Sequence, residues 1–218
     1  MKTESIQNDH PMAELDFWFD FASNYSYLSV MRITTLAAQA RVKVRWRPFL
    51  LGPIFQAQGW DNSPFVLQKA KGLYVQQDMV RQCHQYGLPW QTPSVFPRLS
   101  VLPARIALLA ADLPWMSDFC QQVMLYNFGL DRDMADPLTM REILQQLGQD
   151  DVGILAQAQS ASIKQALCVQ TDRAMALNIF GAPTMMVGDA MFWGNDRLED
   201  ALAFAREGQQ VKKRINHI

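Results

Sequence analysis

Residues 15–28 read "LDFWFDFASNYSYL", and the change of rhythm inside this stretch decides the fold. Leu15, Phe17, Phe19 and Phe21 alternate with Asp16, Trp18 and Asp20, the period of two expected of a strand with unlike faces. From Tyr25 to Arg41 the only charges are Arg32 and Arg41, which predicts a helix apolar round most of its girth and packed on a sheet. Then "VKVRWRP", residues 42–48, alternates Val42, Val44 and Trp46 with basic residues and stops at Pro48, a second strand. Strand, helix, strand in this order predicts a parallel pair joined by a right-handed crossover.

Downstream the character changes. Ser63-Pro64 offers an N-cap with proline at the first helical position and Gly87 a stop, and Asp136-Pro137 with Gly148 repeats that punctuation. Between them "LPARIALLAADL" and "WMSDFCQQVMLYNFG" read as further helices. Strand signals are nearly absent from 63 to 178, which predicts an all-helical insertion of subdomain size. The sheet pattern returns in "PTMMVGDAMFWG", two apolar runs around Gly188-Asp189, a two-residue hairpin signal. A last helix is expected from Asn195 or Asp196, with Leu198, Ala201, Leu202 and Ala205 on one face. The organisation is α/β: a discontinuous domain at 14–62 and 179–207, a helical insertion at 63–178, and loose tails at 1–13 and 208–218.

Composition excludes several functions. A length of 218 residues, 49% of them hydrophobic, suffices to bury the core of one domain carrying a large insertion. With 20 basic against 21 acidic residues the chain projects no field toward nucleic acid or an anionic membrane surface. The opening "MKTESIQNDHPMAEL" has no continuous apolar stretch, and no segment reaches the roughly 18 apolar residues of a membrane span, so a soluble cytoplasmic protein is expected. Cys83, Cys120 and Cys168 are far apart and odd in number, and His10, His84 and His217 are scattered. Neither a disulfide framework nor a metal centre is expected.

Three patches, in order, carry a family resemblance: "DFASNYSYL" at 20–28, "KAKGLYVQQDM" at 69–79 and "FGAPTMMVGDAMFWGNDRLEDAL" at 180–202. The element order with "FGAPT" ahead of the hairpin resembles a thioredoxin-like fold with a DsbA-like all-helical insertion. Within it the patches resemble the glutathione-dependent 2-hydroxychromene-2-carboxylate isomerases and the kappa-class glutathione transferases, over about residues 15 to 205. The resemblance implies glutathione as cofactor, a small aromatic substrate and a homodimer. It implies isomerisation by reversible addition of a glutathione thiolate to a conjugated carbon. A kappa-class-like transferase and a non-catalytic glutathione-binding protein are the alternatives.

Residue by residue, Ser23 and Ser26 stand at the i, i+3 spacing where thiol oxidoreductases keep Cys-x-x-Cys. At the mouth of the first helix the Ser23 hydroxyl would donate to the glutathione sulfur and favour its thiolate. The plainer reading is an N-cap worth about 1 kcal/mol, and one hydroxyl can serve both. Asn24 stands where the family usually has proline. Ala182-Pro183 is expected to be cis, leaving the Ala182 backbone free to pair with the middle of glutathione; an ordinary trans proline before an edge strand is the alternative. Asn195 and Asp196 would hold the ends of the γ-glutamyl moiety, whereas Asp196 with Glu199 also reads as a capping box. Trp193 would wall the site or join the core. Lys71 would pair with a glutathione carboxylate, with Lys69 as rival; Asn62, with Trp60 as rival, would fill the asparagine position after the "LLG" loop. Phe49, Leu50, Leu51, Phe55 and Trp60 would supply an apolar wall for the aromatic substrate or pack in the core. With no sulfur at 23 or 26, disulfide exchange is disfavoured.

Overall fold

A computed structural model describes residues 12–215. Its sheet has four strands, β1 (Ala13–Phe19), β2 (Val42–Pro48), β3 (Thr184–Val187) and β4 (Ala190–Trp193), in the order β2-β1-β3-β4. β1 and β2 run parallel with Phe17 opposite Trp46, as the strand-helix-strand rhythm predicts, and β3 runs antiparallel to β1 with Phe17 opposite Met185. Gly188 takes φ 58° while Asp189 stays out of the left-handed region, so the hairpin carries its single positive φ at the first turn position.

β1 is the centre of the molecule. Leu15, Phe17 and Phe19 enter one cluster with Tyr27, Leu28 and Ile33 of the first helix, and Trp18 faces the other way against Phe49, Ile54, Ala174, Ile179 and Met186. The two faces are unlike, as expected: Leu15, Phe17 and Phe19 are buried on one, while on the other Trp18 is buried and Glu14 and Asp16 pair with Arg45 and Arg47. The strand also ends at Phe19, two residues before the expected Phe21, because Asp20 turns its carboxylate toward two backbone N–H groups.

The helices are α1 (Asn24–Ala40), α2 (Leu51–Ala57), α3 (Pro64–Leu67), α4 (Lys69–Tyr86), α5 (Val101–Leu109), α6 (Met116–Phe128), α7 (Pro137–Gln146), α8 (Asp151–Ala158), α9 (Ala161–Ala176) and, after one 3-10 turn at Asn195–Arg197, α10 (Leu198–Ile215). The punctuation acts as read. Ser63 and Asp136 accept from Phe65 N and Leu138 N, each followed by proline in the first turn, and Gly87 and Gly148 take φ 65° and 67°. α2 replaces the expected loop after Leu50. α10 continues through 208–215, where a loose tail was expected; residues 1–11 and 216–218 of the expected tails lie outside the described residues.

The insertion shares its core with the sheet. One cluster runs from Leu15, Phe17 and Phe19 through Phe21 and Phe119 to Val123, Phe128, Met140 and Ile143. The boundaries at 63 and 178 are topological rather than a gap between two cores. Removing apolar surface from water across that seam, at about 25 cal/mol per Å², ties sheet and insertion into one body.

Candidate active site

The site grows from the turn between β1 and α1. Ser23 sits at φ −87°, ψ 116°, the extended backbone of an N-cap, and its Oγ accepts the Ser26 N–H at 3.2 Å. The same hydroxyl donates to the carbonyl of Ala182 at 2.8 Å, 159 residues along the chain. The Ala182–Pro183 peptide is cis, as expected, and the Pro183 carbonyl accepts the Gly194 N–H at 2.9 Å. The expectation of a free Ala182 backbone is therefore corrected for its carbonyl. The capping role of Ser23 is present, and its hydroxyl donates its one proton to the Ala182 carbonyl. Ser26 is fully buried and its hydroxyl has no partner among the described residues.

Asp20 holds this turn in place. It is buried, and its two carboxylate oxygens accept the Ala22 N–H at 2.9 Å and the Leu51 N–H at 2.8 Å. Burial pushes its carboxyl up from the ordinary carboxylate range, against the pull of hydrogen bonds from Leu51, the Ser100 hydroxyl and Ala22. One side chain thus ties the turn before Ser23 to the start of α2. Sequence reasoning took Asp20 only as the polar phase of a strand; the available signal was a carboxylate where the apolar alternation runs out.

Ser23, Ala182 and Pro183 floor a cavity of about 1140 Å³. Asn62, Lys71, Trp193, Asn195 and Asp196 all reach its walls, as do Leu50, Leu51, Phe55 and Trp60. Phe49 does not; it is fully buried against Trp18. Of the rival pairs, Lys71 lines the cavity and Lys69 does not, while Trp60 and Asn62 both do. The Lys71 ammonium lies 5.9 Å from the Phe65 ring centre and makes no ion pair among the described residues.

Asn195 departs from expectation in its orientation. Only 6% exposed, it accepts from Ser29 Oγ at 3.0 Å and from Arg32 Nη1 at 3.2 Å, and its Nδ2 donates to Tyr86 OH at 3.4 Å. Its amide is spent on α1 and α4. Asp196 remains exposed beside Arg197 at 3.2 Å, and the Asp196–Glu199 capping box does not form, because Glu199 pairs with Arg32 at 2.6 Å. Trp193 is not core: it is 53% exposed and packs edge-on against Phe180 at 4.8 Å. A Cβ on Gly181 would fall 2.3 Å from its indole nitrogen, so the indole rests on the glycine and a larger residue there would displace it.

Two further groups were not singled out from the sequence. Tyr25 lines the cavity and donates to Asp78 at 2.8 Å, with burial first and Asp78 second pushing its phenol pKa up. The acidic residue of the second patch therefore braces α4 against α1. Arg98, also in the wall, is buried and spent on Asn127 and Asp131, which fixes the segment carrying Phe96 and Leu99.

Chemically, the floor offers a hydroxyl at a helix N-terminus, where negative charge is favoured by roughly 0.3–1 kcal/mol at an exposed site. The walls offer an unpaired cation, an exposed carboxylate and aromatic surface. No cysteine faces the cavity: Cys83 and Cys120 are buried, and Cys168 lies on α9 away from it. Among the described residues no three His, Cys, Asp or Glu side chains converge to hold a metal.

The profile of the DSBA-like thioredoxin domain matches residues 14–204. A 2-hydroxychromene-2-carboxylate isomerase from Pseudomonas putida is 27% identical over 186 residues, 84% of this chain and 90% of that protein. A glutathione S-transferase kappa 2 from Caenorhabditis elegans is 24% identical over 205 residues, covering 88% and 91%. A solved structure of a 2-hydroxychromene-2-carboxylate isomerase superposes with a TM-score of 0.81 at 24% identity, over 94% of this chain and 99% of that one.

Proposed function

The chain belongs to the DSBA-like thioredoxin domain family, and from that premise we propose that it is a glutathione-dependent isomerase acting on an aromatic substrate of the 2-hydroxychromene-2-carboxylate kind. The observation that carries this reading is a serine hydroxyl at the mouth of α1, 2.8 Å from the carbonyl that precedes a cis-proline, on the floor of a cavity no cysteine enters.

The residues present fit glutathione. Ser23 and the helix N-terminus would receive its thiol, and its amides would pair with the backbone of Ala182, which lies two residues before β3 and outside the ladder. Lys71, the wall cation with no ion pair among the described residues, would hold a carboxylate of it, and Asp196 its ammonium. Glutathione bound there supplies a thiol able to add to an electrophilic carbon and leave again.

The chain's own groups do the rest. Ser23 and the α1 N-terminus favour negative charge at the floor. Ala182 and Pro183 orient an extended peptide. Trp193, 53% exposed over Gly181, forms the lip between cofactor and solvent. Phe55, Trp60 and Phe65 offer apolar surface to the aromatic ring and exclude water from it. Asn195 positions the 3-10 turn that presents Asp196. At about 1140 Å³ the cavity exceeds the roughly 300–1,000 Å³ usual for one small ligand, in keeping with cofactor and substrate side by side.

A kappa-class-like transferase is the second reading, favoured by the match to the kappa 2 protein over 88% of this chain. The same site serves both, and the acceptor decides: one with a leaving group retains the adduct. The test has two stages. Retention on immobilised glutathione comes first, with Ser23→Ala as control; turnover of a chromene carboxylate and of a chloronitrobenzene then separates the two activities. A chain that passes through the glutathione matrix unretained overturns the proposal.

A further inference from the structure

Resting on the glutathione reading, we propose that Ser23 is a gated donor: its hydroxyl reaches a bound sulfur only when an amide N–H of the same ligand takes over the Ala182 carbonyl. The site then ionises thiols carried on a peptide and leaves simple thiols protonated.

A serine hydroxyl has one proton. In this structure that proton is committed to Ala182 O at 2.8 Å, while the oxygen accepts the Ser26 N–H at 3.2 Å. The Ser26 contact anchors Oγ, so redirecting the proton needs only rotation about the Cβ–Oγ bond, with no movement of the oxygen. What opposes rotation is the carbonyl left behind. Ala182 precedes the ladder, which opens at Thr184 opposite Trp18, and is partly buried; among the described residues no backbone N–H bonds to that oxygen. A carbonyl stripped of its partner in such a place costs a substantial fraction of a hydrogen bond or more.

A simple thiol offers nothing to replace the lost bond. An extended peptide laid beside Ala182 does, because strand addition brings a backbone N–H to that carbonyl. The exchange then conserves hydrogen bonds: ligand N–H to Ala182 O, Ser23 O–H to sulfur, Ser26 N–H still to Ser23 Oγ. The thiol proton leaves to solvent and Ser23 keeps its own. Selection among thiols thus comes from the backbone of Ala182 rather than from any side chain that touches the sulfur.

The test uses the full chain and three probes: glutathione, its depsipeptide analogue with an ester oxygen in place of the γ-glutamyl-cysteinyl amide N–H, and 2-mercaptoethanol. Each is titrated to saturation by calorimetry, and the bound thiol pKa is read from thiolate ultraviolet absorbance against pH. Glutathione is expected to show a depressed thiol pKa. The ester analogue, unchanged in charge, is expected about one unit higher, roughly tenfold less thiolate at a given pH. 2-Mercaptoethanol is expected to show no depression. In Ser23→Ala, glutathione and its ester analogue should converge. An ester analogue that binds and ionises as fully as glutathione overturns the gate while leaving glutathione binding intact. A chain that takes up none of the probes overturns the glutathione reading itself, and the gate with it.

Discussion

Asp20→Asn is the substitution whose consequences follow most directly from geometry. The carboxylate accepts two backbone N–H groups on separate oxygens, from Ala22 at 2.9 Å and from Leu51 at 2.8 Å. A carboxamide has one accepting oxygen, so whichever way it turns, an –NH2 faces one of those N–H groups and a buried donor goes unmet. The cost of such an orphan is about 1–3 kcal/mol. Against a total of about 5–15 kcal/mol it is a large loss. For a chain of this size it corresponds to a fall of roughly 2–4 °C in Tm per kcal/mol, measured by thermal circular dichroism. The pH dependence gives an independent check. Because burial raises the Asp20 carboxyl above the unfolded value of 3.8, the folded state holds this proton to higher pH than the unfolded chain does. Its contribution is therefore fully favourable below 3.8, declines as pH rises toward the folded pKa, and above that pKa leaves the full penalty of a buried charge. Asn has no such step. The deficit of the variant relative to wild type should be widest at acid pH and narrow as pH rises through that window. A variant melting within about 1 °C of wild type, with an unchanged slope of stability against pH, would refute the assignment of Asp20 as the tie between the Ser23 turn and α2.

Other outcomes are expected at the walls. Asn195→Ala should destabilise the fold by about 1–3 kcal/mol in urea titration, because it strips partners from buried Ser29 and from Arg32; a loss of ligand affinity at unchanged stability would instead mark Asn195 as a direct ligand contact. Lys71→Ala should weaken glutathione binding roughly tenfold at low salt, less at high salt, by calorimetry, with Lys69→Ala near wild type, since only Lys71 lines the cavity. Gly181→Ala places a methyl 2.3 Å from Trp193 Nε1 and should displace the indole. Tryptophan emission should then shift to the red and glutathione affinity fall, with little change in Tm, because Trp193 is 53% exposed and free to move.

What the sequence discloses follows local physics. The period-two runs of β1 and β2, the Ser63-Pro64 and Asp136-Pro137 starts and the Gly188 turn are each decided within a few residues, and the structure has them all. α2 escapes because Gly52 and Pro53 read as a loop. Pro53 is the third residue of that helix, in the first turn, where a missing N–H breaks no intrahelical bond. Asp20 escapes because its partner Leu51 is 31 residues away. The inward turn of Asn195 escapes for the same reason, since Ser29, Arg32 and Tyr86 are 166, 163 and 109 residues distant. The resemblance gave both Asn195 and Asp196 to the γ-glutamyl moiety, and both line the cavity, but the contacts that commit the Asn195 amide to α1 and α4 are visible only in the fold.

The two parts of the chain contribute unequally to the site, and the division has a consequence for substrate choice. Ser23, Ala182 and Pro183 belong to the sheet and its turns, held by the Ser23–Ala182 hydrogen bond, the Asp20 ties and the core around Phe19 and Phe21. Phe65, Tyr74 and Leu99 belong to the insertion, and of these Tyr74 and Leu99 are 58% and 73% exposed. Exposed wall side chains change at little cost to stability, whereas the floor is fixed by backbone hydrogen bonds that any substitution disturbs. Under the proposed function, ionisation of the thiol is then a property of the floor and the choice of aromatic partner a property of the walls. Leu99→Ala and Tyr74→Ala should therefore alter KM for the aromatic substrate several-fold while leaving the pKa of the bound thiol where wild type has it. A shift of that pKa in either variant would mean that floor and wall are coupled through the segment from Phe96 to Ser100, whose last residue pulls the Asp20 carboxyl down against its burial.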